Sequence, residues 1–339
     1  MKLLVVRTTS FGDIVHTFPA LTDARRRIHD LVCDWLIEDT YAAMPGWHPA
    51  VREVIPVSMR GWRRAPWINH PPAILASLVR LRRERYDLVL DAQGLLKSAV
   101  LSRLARGPCA GYDRRSAREP WAAALYHRKI AVTAQHAVDR NRELFAGALQ
   151  YDIAADMDYG LNPPQLAHSS PDEPPYLVFI PGTTWPSKRW PSRHWRELAA
   201  GAAGEGWRVR ILSGTASELE TARSIGRGLD NVEPVGPPSL DDLAGLLRGA
   251  RAVVSVDSGP GHLAAAVGTP GVSIYGATDP EVTGIRGAAQ VNLKADFECA
   301  PCLRHRCQFT DRGQVYPDCY ATVSPERVWS TLRGLIQER

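Results

Sequence analysis

The chain has 339 residues, enough for about two domains at ~100–200 residues each. Hydrophobic residues make up 45% and charged residues 23%, the proportions of a globular protein with a buried core, so wholesale disorder and fibrous repeats are excluded. Net charge is only +5 but lopsided: residues 51–150 hold 18 Lys and Arg against 8 Asp and Glu, and residues 161–339 hold 18 against 19. That asymmetry suggests an anionic partner met by the first half alone, with a solvated basic surface as the plainer alternative. No run approaches the ~18 apolar residues of a spanning helix. The opening MKLLVVRTTSFGDIVH makes a poor signal peptide, so a cytoplasmic chain is expected.

The elements follow in order. KLLVVR is an unbroken apolar run, the pattern of a buried parallel strand, and it ends in the loop TTSFGD. Ile14, Phe18, Leu21, Ala24 and Ile28 then recur at helical spacing. CDWLIE (33–38) and YDLVLDAQG (86–94) predict strands, and 95–105 and 136–149 predict helices. Residues 162–175, NPPQLAHSSPDEPP, hold five prolines and predict a linker. Beyond it YLVFI (176–180), RVRIL (208–212), AVVSV (252–256) and GVSIY (271–275) predict strands, separated by amphipathic stretches at 192–204, 216–229 and 240–249. The expected class is α/β, with two Rossmann-like domains facing a central cleft. Residues 1–161 form the first, 162–175 the linker and 176–322 the second. A C-terminal helix over 323–339 is expected to pack back toward the first domain.

Three places could carry chemistry. Asp13 follows the first strand's loop and starts a helix, so it is either a helix cap or a general base. In FIPGTTWPSKRWPSRHW (179–195) a strand runs into Gly182, Thr183 and Thr184, with Lys188 following. Hydroxyls, loop amides and a lysine suit a phosphate; an ordinary loop with solvated charges is the alternative. In SVDSGPGHL the groups Asp257, Ser258, Gly259 and His262 follow an apolar strand, where glycines let backbone approach a diphosphate. Glu218, in SGTASE, stands where a carboxylate can take a ribose hydroxyl pair. The basic half offers Arg60, Arg63, Arg64, Lys97 and Arg118. Trp62 and Trp67 beside the first three would also suit nucleic acid, although no nucleic-acid-binding signature accompanies them. Cys299, Cys302, Cys307 and Cys319 fall within 21 residues, a spacing that allows a tetrahedral thiolate site or four reduced thiols in a loop. Cys33 and Cys109 are isolated and expected to be packed thiols.

RTTSFGDIVHTFPALTDARR, PGWHPAVREVIPVSMRGWRR, YDLVLDAQGLLKSA, AREP, QHAVDRNRELFA, PGTTWPSKRWP and SVDSGPGHLAAA together resemble glycosyltransferase family 9, the lipopolysaccharide heptosyltransferases. The resemblance runs over residues 1 to about 285. It favours the type I branch, because type II is less similar around DAQGLLKSA and AREP. It implies a GT-B fold and inverting transfer of L-glycero-D-manno-heptose from ADP-heptose to the inner Kdo of Kdo2-lipid A. Asp13 is then the base and Lys188 the group that offsets charge on departing ADP. Thr183 and Thr184 hold phosphate, Glu218 the ribose, and Asp257 the heptose hydroxyls, with Ser258, Gly259 and His262 around the diphosphate. Arg60, Arg63, Arg64, Lys97 and Arg118 meet the acceptor's carboxylates and phosphates, which leaves no need for nucleic acid as partner. The enzyme is expected at the cytoplasmic face of the inner membrane, with no cofactor required for catalysis. The cysteine quartet departs from the type I pattern. Some family members with such clusters bind iron, so a structural zinc or iron is expected there. The alternatives are a type II-like enzyme adding a later heptose, or a non-catalytic binder of nucleotide sugar or nucleic acid. A dead relative should lack Asp13 or Lys188, and both are present.

Overall fold

The computed structural model describes residues 1–59, 71–164, 174–309 and 316–337. Arg60, Arg63 and Arg64, and most of the linker, therefore lie outside the described residues. The chain divides into two compact units, Met1–Pro163 and Pro164–Arg339.

The first unit is built on six strands: β1 (Lys2–Val6), β2 (Val32–Glu38), β3 (Val51–Val57), β4 (Leu88–Asp91), β5 (Cys109–Tyr112) and β6 (Arg128–Ile130). All pairs are parallel, in the order β3-β2-β1-β4-β5-β6. β1 is central, which is why four of its five residues are buried and its sequence is continuously apolar. The helices are α1 (Phe11–Val15), α2 (Phe18–Arg27), α3 (Pro71–Arg83), α4 (Leu96–Leu104) and α5 (Ala137–Leu149). Leu4, Val6 and Val89 share one core with Leu81 of α3, Ala99 of α4 and Ala122 of a 3-10 turn over Pro120–Leu125. By the two-residue alternation of a strand, Leu3 and Val5 face the opposite side. There Phe18 of α2 meets Trp35 at 5.4 Å between ring centroids. α2 is tied to α5 by a buried pair: Arg142 Nε donates to Asp23 Oδ2 at 2.7 Å and Nη2 to Oδ1 at 3.3 Å.

The second unit repeats the plan with β7 (Tyr176–Ile180), β8 (Arg208–Leu212), β9 (Val232–Val235), β10 (Ala252–Val256), β11 (Gly271–Tyr275) and β12 (Gln290–Lys294). Its all-parallel order is β12-β11-β10-β7-β8-β9. Counted from the start of the unit, this is the same doubly wound order as the first. In each unit the strand order reverses between the first and fourth strands, β1 and β4 or β7 and β10, and such a switch point is where open α/β sheets bind ligands. The helices are α6 (Ser192–Gly204), α7 (Ala216–Gly226), α8 (Leu240–Gly249), α9 (Gly259–Ala266), α10 (Pro280–Thr283) and α11 (Pro325–Gln337).

α11 packs within the second unit. Its stripe of Val328, Leu332 and Ile336, four residues apart, is buried with Trp195 and Leu198 of α6 and with Phe179, Val254 and Ile274 of the sheet. The helix is thus committed to the core of its own unit.

One glycine is set by a close approach. Gly160 sits at φ +63°, and a Cβ there would fall 2.5 Å from Thr22 Oγ1 and 2.9 Å from His48 Nε2. Those two atoms are hydrogen-bonded to each other at 3.0 Å. Gly160→Ala therefore combines left-handed strain with overpacking. Denaturant unfolding should show a loss of about 2 kcal/mol or more; unchanged stability would mean that the Thr22–His48 contact can shift freely.

Candidate active site

In the first unit, the carboxyl end of β1 leads into α1. Ser10 precedes that helix and Asp13 is its third residue. Ser10 N–H donates to Asp13 Oδ2 at 3.1 Å, and Ser10 Oγ–H donates to the same oxygen at 2.8 Å. The other oxygen, Oδ1, lies 3.0 Å from Arg7 Nη2. Asp13 is therefore a capping-box carboxylate rather than the cap itself. Its side chain keeps 28% exposure. Burial acts to raise its pKa, but Arg7, then His16, then the Ser10 bonds outweigh it and bring the carboxyl down to about 2. A depressed carboxyl contributes stability above its ordinary value near 3.8 and loses it as pH falls through about 2. At neutral pH Asp13 is ionised and weakly basic.

Arg7, which opens the RTTSFGD segment but was not among the expected site residues, is the last polar group of KLLVVR. It is nearly buried, and its guanidinium also donates to Ala92 O. Next to it Thr8 donates from both N and Oγ1 to Gln93 Oε1, at 2.9 and 2.7 Å. Gln93 is placed by buried Asp91, whose Oδ1 accepts from Gln93 N at 2.8 Å and Gly94 N at 3.1 Å, while Tyr126 OH donates to Oδ2 at 2.7 Å. DAQG is thus a loop template beside the Asp13 turn. Lys97, at the start of α4, and Arg118, after β5, are both exposed. The backbone holds them close: Glu119 N donates to Gly94 O at 3.0 Å and Leu96 N to Glu119 Oε2 at 2.6 Å.

In the second unit the centre is Asp257, at the end of β10. Its Oδ2 lies 2.7 Å from Lys188 Nζ and accepts from Thr278 Oγ1 at 2.7 Å. Its Oδ1 lies 3.7 Å from His262 Nε2. Thr183 Oγ1 donates to Asp257 O at 3.1 Å. The structure therefore gathers Lys188, Thr278 and His262 round the Asp257 carboxylate, with Thr183 on that residue's backbone carbonyl. Burial works against ionising Asp257, but His262 and Lys188 hold it well below the usual carboxylate range. Lys188 sits in a 3-10 turn, with Nζ 4.7 Å from the Trp185 ring centroid. Ser258 caps α9, accepting from Gly261 N at 3.4 Å. Gly259 is the helix's first residue, and Thr184 is exposed beside Thr183. Glu218 accepts from Gly214 N at 2.8 Å, within the cap of α7, and a Cβ on Gly182 would fall 2.7 Å from its Oε1. Thr278, on the loop after β11, is a contact that sequence reasoning missed; only its place after an apolar strand pointed to it.

The four cysteines line one small cavity with Phe297, Phe309 and Asp318. Burial and the neighbouring thiols push Cys319 up to about 12 and raise Cys299 as well. Among the described residues, no three His, Cys, Asp or Glu side chains stand as a metal-ligating group, so the geometry is that of a thiol-lined cavity and not of a formed metal centre. The same loop supports Lys188: Ser187 N donates to His305 O at 3.4 Å, Ser187 Oγ to Arg304 O at 2.5 Å and Tyr320 OH to Ser187 O at 3.3 Å.

Paired doubly wound units with charged groups at both switch points have the architecture of GT-B glycosyltransferases. The model of glycosyltransferase family 9 (heptosyltransferase) matches residues 74–312. The lipopolysaccharide heptosyltransferase 1 of Pseudomonas aeruginosa is 46% identical over 349 residues, covering 99% of this chain and 98% of that one. The solved Escherichia coli heptosyltransferase WaaC with ADP is 42% identical, with a TM-score of 0.81 over 87% of this chain and 94% of that one. WaaC with ADP-2-deoxy-2-fluoro heptose gives 0.78 over the same shares. The chain belongs to glycosyltransferase family 9, the heptosyltransferases, and is a glycosyltransferase.

The Arg7–Asp13 pair makes a direct prediction. In Arg7→Gln, burial is left as the dominant influence, so NMR titration of Asp13 should show its pKa rising from about 2 to the ordinary range near 4 or above. A value still near 2 would show that Arg7 is not what holds Asp13 ionised.

Proposed function

We propose that this chain transfers L-glycero-D-manno-heptose from ADP-heptose to the inner Kdo of Kdo2-lipid A, with inversion, in lipopolysaccharide core synthesis. The observation that carries the reading is the Lys188–Asp257 pair, ringed by Thr183, Thr278 and His262 at the switch point of the second sheet. A cation beside hydroxyls at such a point suits a nucleotide diphosphate.

The chemistry is one displacement. An acceptor hydroxyl oxygen forms a bond to the anomeric carbon as the bond from that carbon to the β-phosphate oxygen breaks. The electron pair leaves with ADP and the proton goes to Asp13. Because Asp13 is ionised and weakly basic, it acts by position more than by proton affinity. Lys188 offsets the charge that grows on the diphosphate, a task that needs no divalent ion in this reading. Thr183 and Thr184 donate to phosphate oxygens. Glu218 takes the ribose hydroxyls, and Asp257 orients the heptose hydroxyls once Lys188 turns to the diphosphate. Ser258, Gly259 and His262 complete the diphosphate's surroundings. Lys97 and Arg118, with Arg60, Arg63 and Arg64, meet the acceptor's carboxylates and phosphates. Such an acceptor carries acyl chains, so the enzyme works at the cytoplasmic face of the inner membrane.

A zinc or iron at Cys299, Cys302, Cys307 and Cys319 would be structural, held by thiolates, and outside the transfer step. Elemental analysis separates the cases: one ion per chain, lost when Cys299 and Cys302 become Ser, supports it, and a metal-free chain of equal stability removes it.

Mass spectrometry of purified chain mixed with ADP-heptose and Kdo2-lipid A should show an acceptor heavier by one heptose, and none without donor. Asp13→Asn should lower turnover by ~100-fold or more with little change in donor affinity. No product from the native chain, or native turnover in Asp13→Asn, contradicts the reading.

A further inference from the structure

α3, α4 and the Pro120–Leu125 turn form one layer of the first unit, since Leu81, Ala99 and Ala122 bury their inner sides in a single core. Their outer side is also apolar. Of the ten large hydrophobic side chains exposed among the described residues, five lie on this layer: Leu75 at 62%, Val79 at 61%, Leu96 at 47%, Val100 at 46% and Trp121 at 70%. Leu75 and Val79 are one helical turn apart, as are Leu96 and Val100. Trp121 is tied to α4 through its neighbour Glu119, whose carboxylate accepts from Leu96 N.

Cations surround these groups. Arg83, Lys97, Arg103, Arg114 and Arg118 are exposed on the same elements and their connecting loops, and Arg114 lies 5.2 Å from the Trp121 ring centroid. The local acids are engaged: Glu84 pairs with Lys2 at 2.6 Å, Asp113 accepts from Ser116 and Asp91 is buried. α3, α4 and the turn follow β3, β4 and β5, so they start at the same sheet edge as Asp13.

We propose that this outer layer is a docking surface for an anionic lipid bilayer, with Trp121, Leu96 and Val100 entering the interface and Leu75 and Val79 lying beside them. The proposal deepens the reading of a lipid-borne acceptor and rests on it for its purpose, but not for its test. Apolar groups flanked by Arg and Lys match a surface whose head groups are negative and whose interior is hydrocarbon. Long cationic side chains lie along apolar surface with their charges at the head groups, and tryptophan favours that boundary. A second copy of the chain fits less well, because it would set like charges against each other. No described helix is long and apolar enough to cross a membrane, so docking from one side is the mode that fits.

The test is sedimentation with vesicles of phosphatidylcholine alone or with ~30% phosphatidylglycerol, at low and high salt. The native chain should sediment with the anionic vesicles only, and less at high salt. The triple variant Leu96→Gln, Val100→Gln, Trp121→Gln should bind them at least ~10-fold more weakly, as loss of several buried apolar groups implies. Leu75→Gln with Val79→Gln, a milder change on another helix, should weaken binding in the same direction if the triple variant folds poorly. Both variants should transfer heptose normally to a deacylated, soluble acceptor and poorly to acceptor held in vesicles. Native binding to neutral vesicles alone, or full binding by both variants, overturns the proposal. So does a native dimer in sedimentation velocity that the triple variant abolishes, which would assign the layer to a second copy. Failure of the native chain on the soluble acceptor would count against the proposed reaction and leave the vesicle result standing.

Discussion

The arrangement of both units depends on holding one carboxylate ionised at the carboxyl end of a central parallel strand. Burial opposes this in each case, and in each case a cation from a neighbouring loop or strand end offsets it. Arg7 does so for Asp13 at 3.0 Å and Lys188 for Asp257 at 2.7 Å. Removing either cation would leave a desolvated carboxylate, which is costly in a protein interior. The surrounding donors follow from the same demand: Ser10 completes the shell of Asp13, while Thr278, with His262 alongside, completes that of Asp257.

The two pairs differ in how firmly the cation is held. Arg7 is anchored a second time, through Ala92 O, so its pairing with Asp13 is part of the sheet edge. Lys188 has only the Trp185 face besides Asp257 among its described contacts, on a short turn pinned through Ser187 to the cysteine-bearing loop. A flexible ammonium on a fixed turn can exchange one anionic partner for another, and a guanidinium clamped at two points cannot do so easily. This suits the proposed reaction, in which the first unit's carboxylate keeps its place and the second unit's lysine turns to the diphosphate.

The sequence showed the central strands clearly. β1, β2, β4, β7, β10 and β11 are largely apolar because they are covered on both faces, and β8, RVRIL, shows by its alternation. β3, β5, β6, β9 and β12 went unread; all but β5 are sheet edges, and β5, CAGY, is an interior strand too short to make an apolar run. VREVIPV, RKI, VEPV and QVNLK are short or half exposed, so no apolar run marks them. The site divides likewise. Asp13, Thr183, Lys188, Asp257, Ser258 and His262 sit in the loops, turns or first helical turns that follow readable strands. Arg7, Gln93 and Thr278 act through register, because β4 lies beside β1 and β11 beside β10, and a single chain does not display which strands will be neighbours.

Calorimetric titration of ADP against the native chain, Lys188→Ala, Asp257→Asn and the double variant tests the pairing most directly. If Lys188 passes from Asp257 to the diphosphate, Lys188→Ala should weaken ADP by ~10-fold or more, the scale of a lost charge-assisted contact. Asp257→Asn, which removes the competitor, should bind ADP at least as tightly as the native chain, and the double variant should resemble Lys188→Ala. Native affinity in Lys188→Ala, or a loss in Asp257→Asn as large as that in Lys188→Ala, would contradict the exchange.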